Sequence, residues 1–230
     1  MRISIPILLA ALMLHTSSDA QMDPAMMNQR STKKTKSIGF GLKAGYNFAK
    51  VTNASSINAS TRSGFHAGIF YSPGSNSKQV MGYRSELIYS KQGYDFKNGT
   101  TSGKVDLDYI IMPHLMTISI SKYFQLQLGA QMAFLLNAKA DSSANGGSTN
   151  PYKPVMDYYN RFDYGFAGGV EIHPVAGLLI GARLNISLAD LYKQPEGNMY
   201  PVGAYPAFFP TNTSVNLKNN VLQVFAGYKF

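Results

Sequence analysis

The stretch Gly39-Phe40-Gly41-Leu42-Lys43-Ala44-Gly45-Tyr46-Asn47-Phe48 decides the fold. Every second residue, Phe40, Leu42, Ala44, Tyr46 and Phe48, is apolar. The residues between them are Gly39, Gly41, Lys43, Gly45 and Asn47. Period-two alternation places the two sets on opposite faces of a β-strand. Six later segments repeat the pattern. Gly64–Tyr71 sets Phe65, Ala67, Ile69 and Tyr71 against Gly64, His66, Gly68 and Phe70. In 81–90, Met81, Tyr83, Ser85, Leu87 and Tyr89 oppose Gly82, Arg84, Glu86, Ile88 and Ser90. The even-numbered residues from Phe124 to Leu136 stand against Gln125, Gln127, Gly129 and Gln131, with Asn137 closing the polar face. Tyr164, Phe166, Gly168, Val170 and Ile172 oppose Asp163, Gly165, Gly169, Glu171 and His173. Leu178–Leu188 and Leu222–Phe230 complete the series, with Arg183 and Lys229 on their polar faces. In all seven the apolar face carries no charge. A further strand is expected near Leu107–Ser119. It is apolar on both faces, so its phase stays open, and Pro113 is awkward in a central strand.

Alternation alone also fits a soluble sandwich or barrel. Three features favour a membrane barrel. The apolar face is rich in Phe, Tyr and Leu, more bulk than the interior of an eight-stranded barrel holds, so it belongs outside. The other face is glycine-rich with scattered Arg, Glu, Lys and Gln, which suits a cramped polar lumen. Only 14% of the 230 residues are charged, whereas a soluble exterior is normally crowded with charge. Connections alternate long (about 50–61, 93–106, 138–162 and 192–219) and short (72–78, 119–122 and 174–177), as in outer-membrane barrels with external loops and periplasmic turns. Four long and three short connections require eight strands. The expected fold is therefore all-β, an eight-stranded antiparallel transmembrane barrel over residues 38–230.

Arg2, the apolar run Ile3–Leu14 and Ser18-Asp19-Ala20 have the form of a secretory signal peptide cut after Ala20. The run is too short to span a bilayer as a helix. Residues 21–37, with Arg30, Lys33, Lys34 and Lys36, are expected to form a basic flexible linker. These features place the barrel in the outer membrane, with outer-membrane lipid and lipopolysaccharide around it and the barrel assembly machinery as its partner during insertion. The absence of cysteine excludes disulfides, thiolate metal sites and cysteine nucleophiles. The net charge of +9 is not accompanied by an Arg-rich helix or tryptophan stacking platform, so no nucleic-acid partner is expected.

Several motifs are similar to those of one family. Arg84-Ser85-Glu86-Leu87-Ile88-Tyr89-Ser90-Lys91-Gln92-Gly93 resembles the E-L-x-Y-S-x-x-G segment of the PorT-type outer-membrane β-barrels of Bacteroidota. Tyr109–Leu115 sits where that family has Y-L-E-I-P-L-L. Leu128-Gly129-Ala130-Gln131 resembles its G-x-Q strand, Asp163-Tyr164-Gly165-Phe166 its D-F-G-L entry, and Gly181-Ala182-Arg183-Leu184-Asn185 its G-x-R-Y-N segment. Val224–Phe230 resembles the closing strand, and a terminal aromatic such as Phe230 resembles the signal read by the assembly machinery. The likeness spans about 38–230. It departs at Ile111 and Thr117, where the family has glutamate and lysine, implying a smaller interior charge network. The resemblance implies a barrel whose founding member is associated with protein secretion. Because a shared fold is not a shared function, that role is not carried over.

Two groups of residues are candidates for function. Lys43, Arg84, Glu86, Glu171, Arg183 and Lys229 are expected in the lumen, where they either pair and fill it or line an ion or proton path. Tyr200, Tyr205, Phe208 and Phe209, in the proline-rich segment Met199–Pro210, are candidates for contact with an envelope partner, a glycan or lipopolysaccharide. Tyr158, Tyr159 and Phe162 suit an outer aromatic girdle, or a segment folded over the mouth. For catalysis, His66, His114 and His173 lack a nearby serine–carboxylate set, and the Glu171–His173 pair lacks further ligands. The expected reading is a non-enzymatic structural or partner-binding barrel with no cofactor and no metal. Its alternative is a small pore or lipid-modifying enzyme using the lumen.

Overall fold

The computed structural model describes residues 39–52, 58–73, 80–144, 150–193 and 217–230. Nine strands run β1 Phe40–Thr52, β2 Ser60–Tyr71, β3 Met81–Asn98, β4 Thr101–Ser119, β5 Phe124–Ala144, β6 Asn150–Pro154, β7 Phe162–Ile172, β8 Leu178–Ser187 and β9 Lys218–Lys229. All pairs are antiparallel. β4–β3–β2–β1–β9–β8–β7–β5 follow one another, and β4 pairs with β5 to close the ring. Eight strands thus form the barrel, and short β6 lies alongside the far end of β5, outside the ring. Closure gives each of the eight strands a neighbour on both sides and leaves no edge, a requirement in hydrocarbon.

The alternation turns its apolar face outward. Phe40, Leu42, Tyr46 and Phe48 of β1, Phe65 and Ile69 of β2, and Tyr164 and Phe166 of β7 are exposed, as are Leu184 of β8 and Leu222 of β9. Along β1 the belt from Phe40 to Phe48 is about 20 Å tall, at roughly 3.3 Å per residue and a tilt near 40°. Aromatic residues mark its borders: Phe40, Tyr71, Tyr83, Tyr228 and Phe230 towards the short turns, and Phe48, Phe65, Phe134 and Phe162 towards the long connections. Such girdles sit at membrane interfaces.

β4 is now phased. Val105, Leu107, Tyr109, Ile111, Leu115 and Thr117 are buried inside, while His114 and Met116 face out. Ile111 and Thr117 therefore do occupy interior positions. Pro113 is tolerated because the β3–β4 ladder lapses there: pairing runs to Ser85↔His114 and resumes at Ile88↔Ile111. Proline has no N–H to offer that ladder.

Two connections differ from the loops expected. Residues 93–106 are the tip of a β3–β4 hairpin, closed by Asn98↔Thr101 with Gly99 at positive φ (59°). Glycine at the first central position is what a type II′ hairpin turn requires. β5 likewise continues to Ala144. It carries a bulge next to Leu136, since Asp108 pairs Asn137 while Tyr109 pairs Leu135. The extra residue reverses the faces. Asn137, expected on the inner face, instead joins outward-facing Asp108, whose carboxylate accepts from its side-chain amide at 3.2 Å, and Ala138 turns inward.

Candidate functional site

The lumen is built in three layers. Towards the short turns lies a charged layer. Lys43 on β1, Arg84 and Glu86 on β3, Glu171 on β7 and Arg183 on β8 are all at most 3% exposed. Arg183 reaches across the barrel and donates from both terminal nitrogens to Glu86, at 2.7 and 2.8 Å, and to Gln127 Oε1 at 2.5 Å. Lys43 Nζ donates to the same Glu86 at 3.1 Å. Arg84 pairs with Glu171 from the opposite wall, and Glu171 also lies 3.5 Å from His173 Nε2. Two rings complete the layer. Lys43 Nζ stands 3.6 Å over Phe225, and the Arg84 guanidinium 4.8 Å from the Phe70 centroid. Cation–π contacts of this kind strengthen when desolvated.

This layer unites five of the six lumen residues read from the sequence. Lys229 is the exception: half-buried at the end of β9, it joins no ion pair with them. Phe70 and Phe225 did not stand out in the sequence, because an aromatic on a polar face looks like noise in an alternating pattern.

The middle layer is neutral. Asn47 donates to Ser90 Oγ at 2.9 Å, and its amide oxygen accepts from Gln223 at 3.1 Å and lies 2.8 Å from His66 Nδ1. Gln92 donates to Ser90 at 2.9 Å and accepts from Asn219 at 2.6 Å. Side chains of β1, β2, β3 and β9 are thereby joined across the barrel.

The outer layer is apolar. Val51, Ile88, Tyr94, Phe96, Val105, Leu107, Tyr109, Ile111 and Leu135 pack with Val155, Tyr159, Leu191, Tyr192 and Leu217, which enter from the long connections. A 3-10 turn, Met156–Tyr158, and a bridge between Tyr159 and Tyr192 hold the entering segments together. The hydroxyls of Tyr94, Tyr159 and Tyr192 bond one another within this apolar plug, Tyr94 to Tyr159 at 2.7 Å. Burial pushes the Tyr192 phenol up to about 12, and the Tyr159 phenol well above its ordinary value. Tyr159 is thus inside the mouth rather than in the girdle. Phe162 remains on the lipid side, and Tyr158 packs against the plug. The loop candidates Tyr200, Tyr205, Phe208 and Phe209 lie outside the described residues.

Charged side chains return on the outer face only beyond the belt. Arg62 binds Asp95 and Asp106, each at 2.8 Å, and Lys104 lies between Asp95 and Asp141 in the ladder. For catalysis or metal binding, the arrangement offers little. No group of three or more possible metal ligands occurs among the described residues. The Glu171–His173 pair is committed to Arg84 on its other side.

Comparison with solved structures finds several partial likenesses. The attachment invasion locus protein Ail of Yersinia pestis is 16% identical, with 84% of this chain and 99% of that one covered and a TM-score of 0.46. Neisserial surface protein A is 18% identical, with 84% and 97% covered and a TM-score of 0.48. Outer membrane protein OprG from Pseudomonas aeruginosa is 14% identical, with 83% and 95% covered and a TM-score of 0.40. Comparison with curated proteins gives no match. At the level of sequence, the family model "Outer membrane protein beta-barrel domain" matches residues 20–193. With an apolar belt outside, paired charges inside and that match over most of its length, this chain belongs to the outer membrane protein β-barrel domain family.

Proposed function

We propose that this protein is a non-conducting, non-enzymatic barrel that acts through its long connections as a structural or partner-binding element of the cell envelope. One observation carries the reading: the lumen is filled at every level, by ion pairs, then amides, then an apolar plug. An ion crossing it would have to separate Arg183 from Glu86 and then pass a dry layer of Leu, Ile and Tyr. Separating a buried pair costs about 3–5 kcal/mol. Partner contact is assigned to the proline-rich segment Met199–Pro210, in which Tyr200, Tyr205, Phe208 and Phe209 are the proposed aromatic anchors. The partner proposed is an envelope protein, with a role as accessory to secretion or surface assembly. Lipopolysaccharide surrounds the barrel, and the assembly machinery inserts it after a signal peptide ending at Ala20 is removed.

The test is deletion of residues 199–210 from the full chain, followed by crosslinking in whole cells and conductance in planar bilayers. Loss of a crosslinked envelope protein, with the folded barrel and a silent bilayer retained, is the expected result. An unchanged crosslinking pattern together with discrete conductance steps from the intact protein would favour the pore instead.

A further inference from the structure

The lipid-facing surface holds a crevice that the filled lumen does not explain. It lies where the β3–β4 ladder lapses opposite Pro113, and its volume is about 240 Å³. Register shows how it arises. Phe40, Tyr71, Ser85 and His114 are consecutive cross-strand neighbours on β1, β2, β3 and β4. Ser85 is the one small side chain of that row, so the large side chains beside it become walls and it becomes the floor. Ile69, Leu87 and Met112 form the next row towards the belt centre. A void of this kind in hydrocarbon is covered by an acyl chain, because nothing else is present at that depth.

A polar pair stands beside the crevice. Tyr83 Oη and His114 Nδ1 are 2.6 Å apart, with the rings stacked at 18°, and both residues face the lipid. If Tyr83 donates, His114 keeps a proton on Nε2. If His114 donates, Tyr83 keeps its hydroxyl proton. In either tautomer one donor is left over, in a belt where an unpaired polar group costs free energy. A phospholipid supplies the acceptor through its ester and phosphate oxygens. The crevice lies towards the short turns, which in this class face the periplasm, so its lipid belongs to the periplasmic leaflet.

We propose that the crevice over Ser85 is a binding site for one periplasmic-leaflet phospholipid, its acyl chain lying between Tyr71 and Met112 and its polar oxygens accepting from the Tyr83–His114 pair. The test is native mass spectrometry on the full chain expressed in cells, extracted from outer membranes in mild detergent and offered phosphatidylethanolamine. Wild type and Ala182→Phe, a lipid-facing change on the distant strand β8, should each retain one phospholipid. Ser85→Phe, which fills the floor, should lower retention at least tenfold, and the double variant Tyr83→Phe/His114→Phe severalfold. Each variant is first checked for the faster-migrating folded band of unboiled samples. If Ser85→Phe does not fold, Met112→Trp is the filling variant and the same tenfold loss is required of it. Equal retention by wild type and the filling variant would overturn the proposal. So would recovery of lipopolysaccharide in place of phospholipid, which would put the crevice in the other leaflet.

Discussion

Replacing Arg183 by methionine tests whether the charged layer is held together as the geometry implies. The guanidinium gives Glu86 two charge-assisted hydrogen bonds, at 2.7 and 2.8 Å, and also donates to Gln127. Methionine fills much of the same volume but leaves Glu86 with Lys43 as its one short ion pair, at 3.1 Å. Glu86 and Arg183 are essentially without solvent contact, so water does not make up the loss. Removing one partner of a buried pair costs about 3–5 kcal/mol, whereas removing both costs far less and is often near neutral. Arg183→Met is therefore expected to lose about 3–5 kcal/mol, and Lys43→Met/Glu86→Gln/Arg183→Met, which removes the whole cluster around Glu86 and leaves no charge in it unpaired, to recover at least half of that. The assay is urea-induced unfolding of the barrel in lipid vesicles, read from the fraction of faster-migrating band without boiling. Planar-bilayer recordings of the same proteins, and of Arg84→Ala/Arg183→Ala, should remain silent because the outer plug is untouched. A single variant as stable as wild type would refute the pairing argument. A clear rise in conductance would refute the closed lumen.

Two further predictions concern the plug and the belt. Burial holds the Tyr192 phenol at about 12 against an ordinary value of 10, so the unfolded chain loses this proton first as pH rises. The plug's stability is accordingly full below pH 10 and declines between pH 10 and 12, by up to about 1.4 kcal/mol per unit of separation. Urea midpoints across that window should fall for wild type and fall less steeply for Tyr192→Phe; parallel curves would refute the assignment. On the belt, Leu184→Arg places a charge in hydrocarbon at mid-strand and should cost about 2–4 kcal/mol in vesicles. Thr61→Arg, beyond the belt, should cost no more than about 1 kcal/mol. Equal costs would mean that the apolar face does not meet lipid.

The barrel was legible in the sequence because lipid and lumen demand opposite side chains at alternate positions, and β1, β2, β7, β8 and β9 obey that demand within the belt. β4 was not legible for a reason the plug supplies. Val105, Leu107, Tyr109 and Ile111 face an apolar interior, so the period-two contrast vanishes where both environments are dry. The 93–106 hairpin was hidden by the reverse effect. There Tyr94, Phe96, Val105 and Leu107 face inward while Asp95, Lys97, Lys104 and Asp106 face outward, with polarity inverted because the strands have left the bilayer. Asn98-Gly99 was the signal that could have found it. The bulge at Leu136 left no mark, since Asn137 falls on the polar face of an unbroken alternation. Of the lumen, the charged members were readable one by one. Their partners were not, because Arg183 meets Glu86 across the barrel at a separation of 97 residues.

That long-range pairing bears on what the lumen is for. Apolar side chains of the same volume would serve stability as well as buried ion pairs do, so the charges are better understood through register. A slip of one residue between strands would carry Glu86, Arg84 or Arg183 onto the lipid face and bring Leu or Tyr inside. The cross-lumen bonds add a second constraint, because they tie β3 to β7 and β8, which the ladder does not make neighbours. The amide layer extends the same tie from β3 to β9 through Gln92 and Asn219. One arrangement of eight strands satisfies both demands, and it fixes where β1, β2, β7, β8 and β9 deliver the chain into the long connections. In the reading proposed above, a filled barrel of this construction offers no path to a solute. On that reading it provides a rigid ring of attachment points, and the proposed specificity belongs to the segments that those points present.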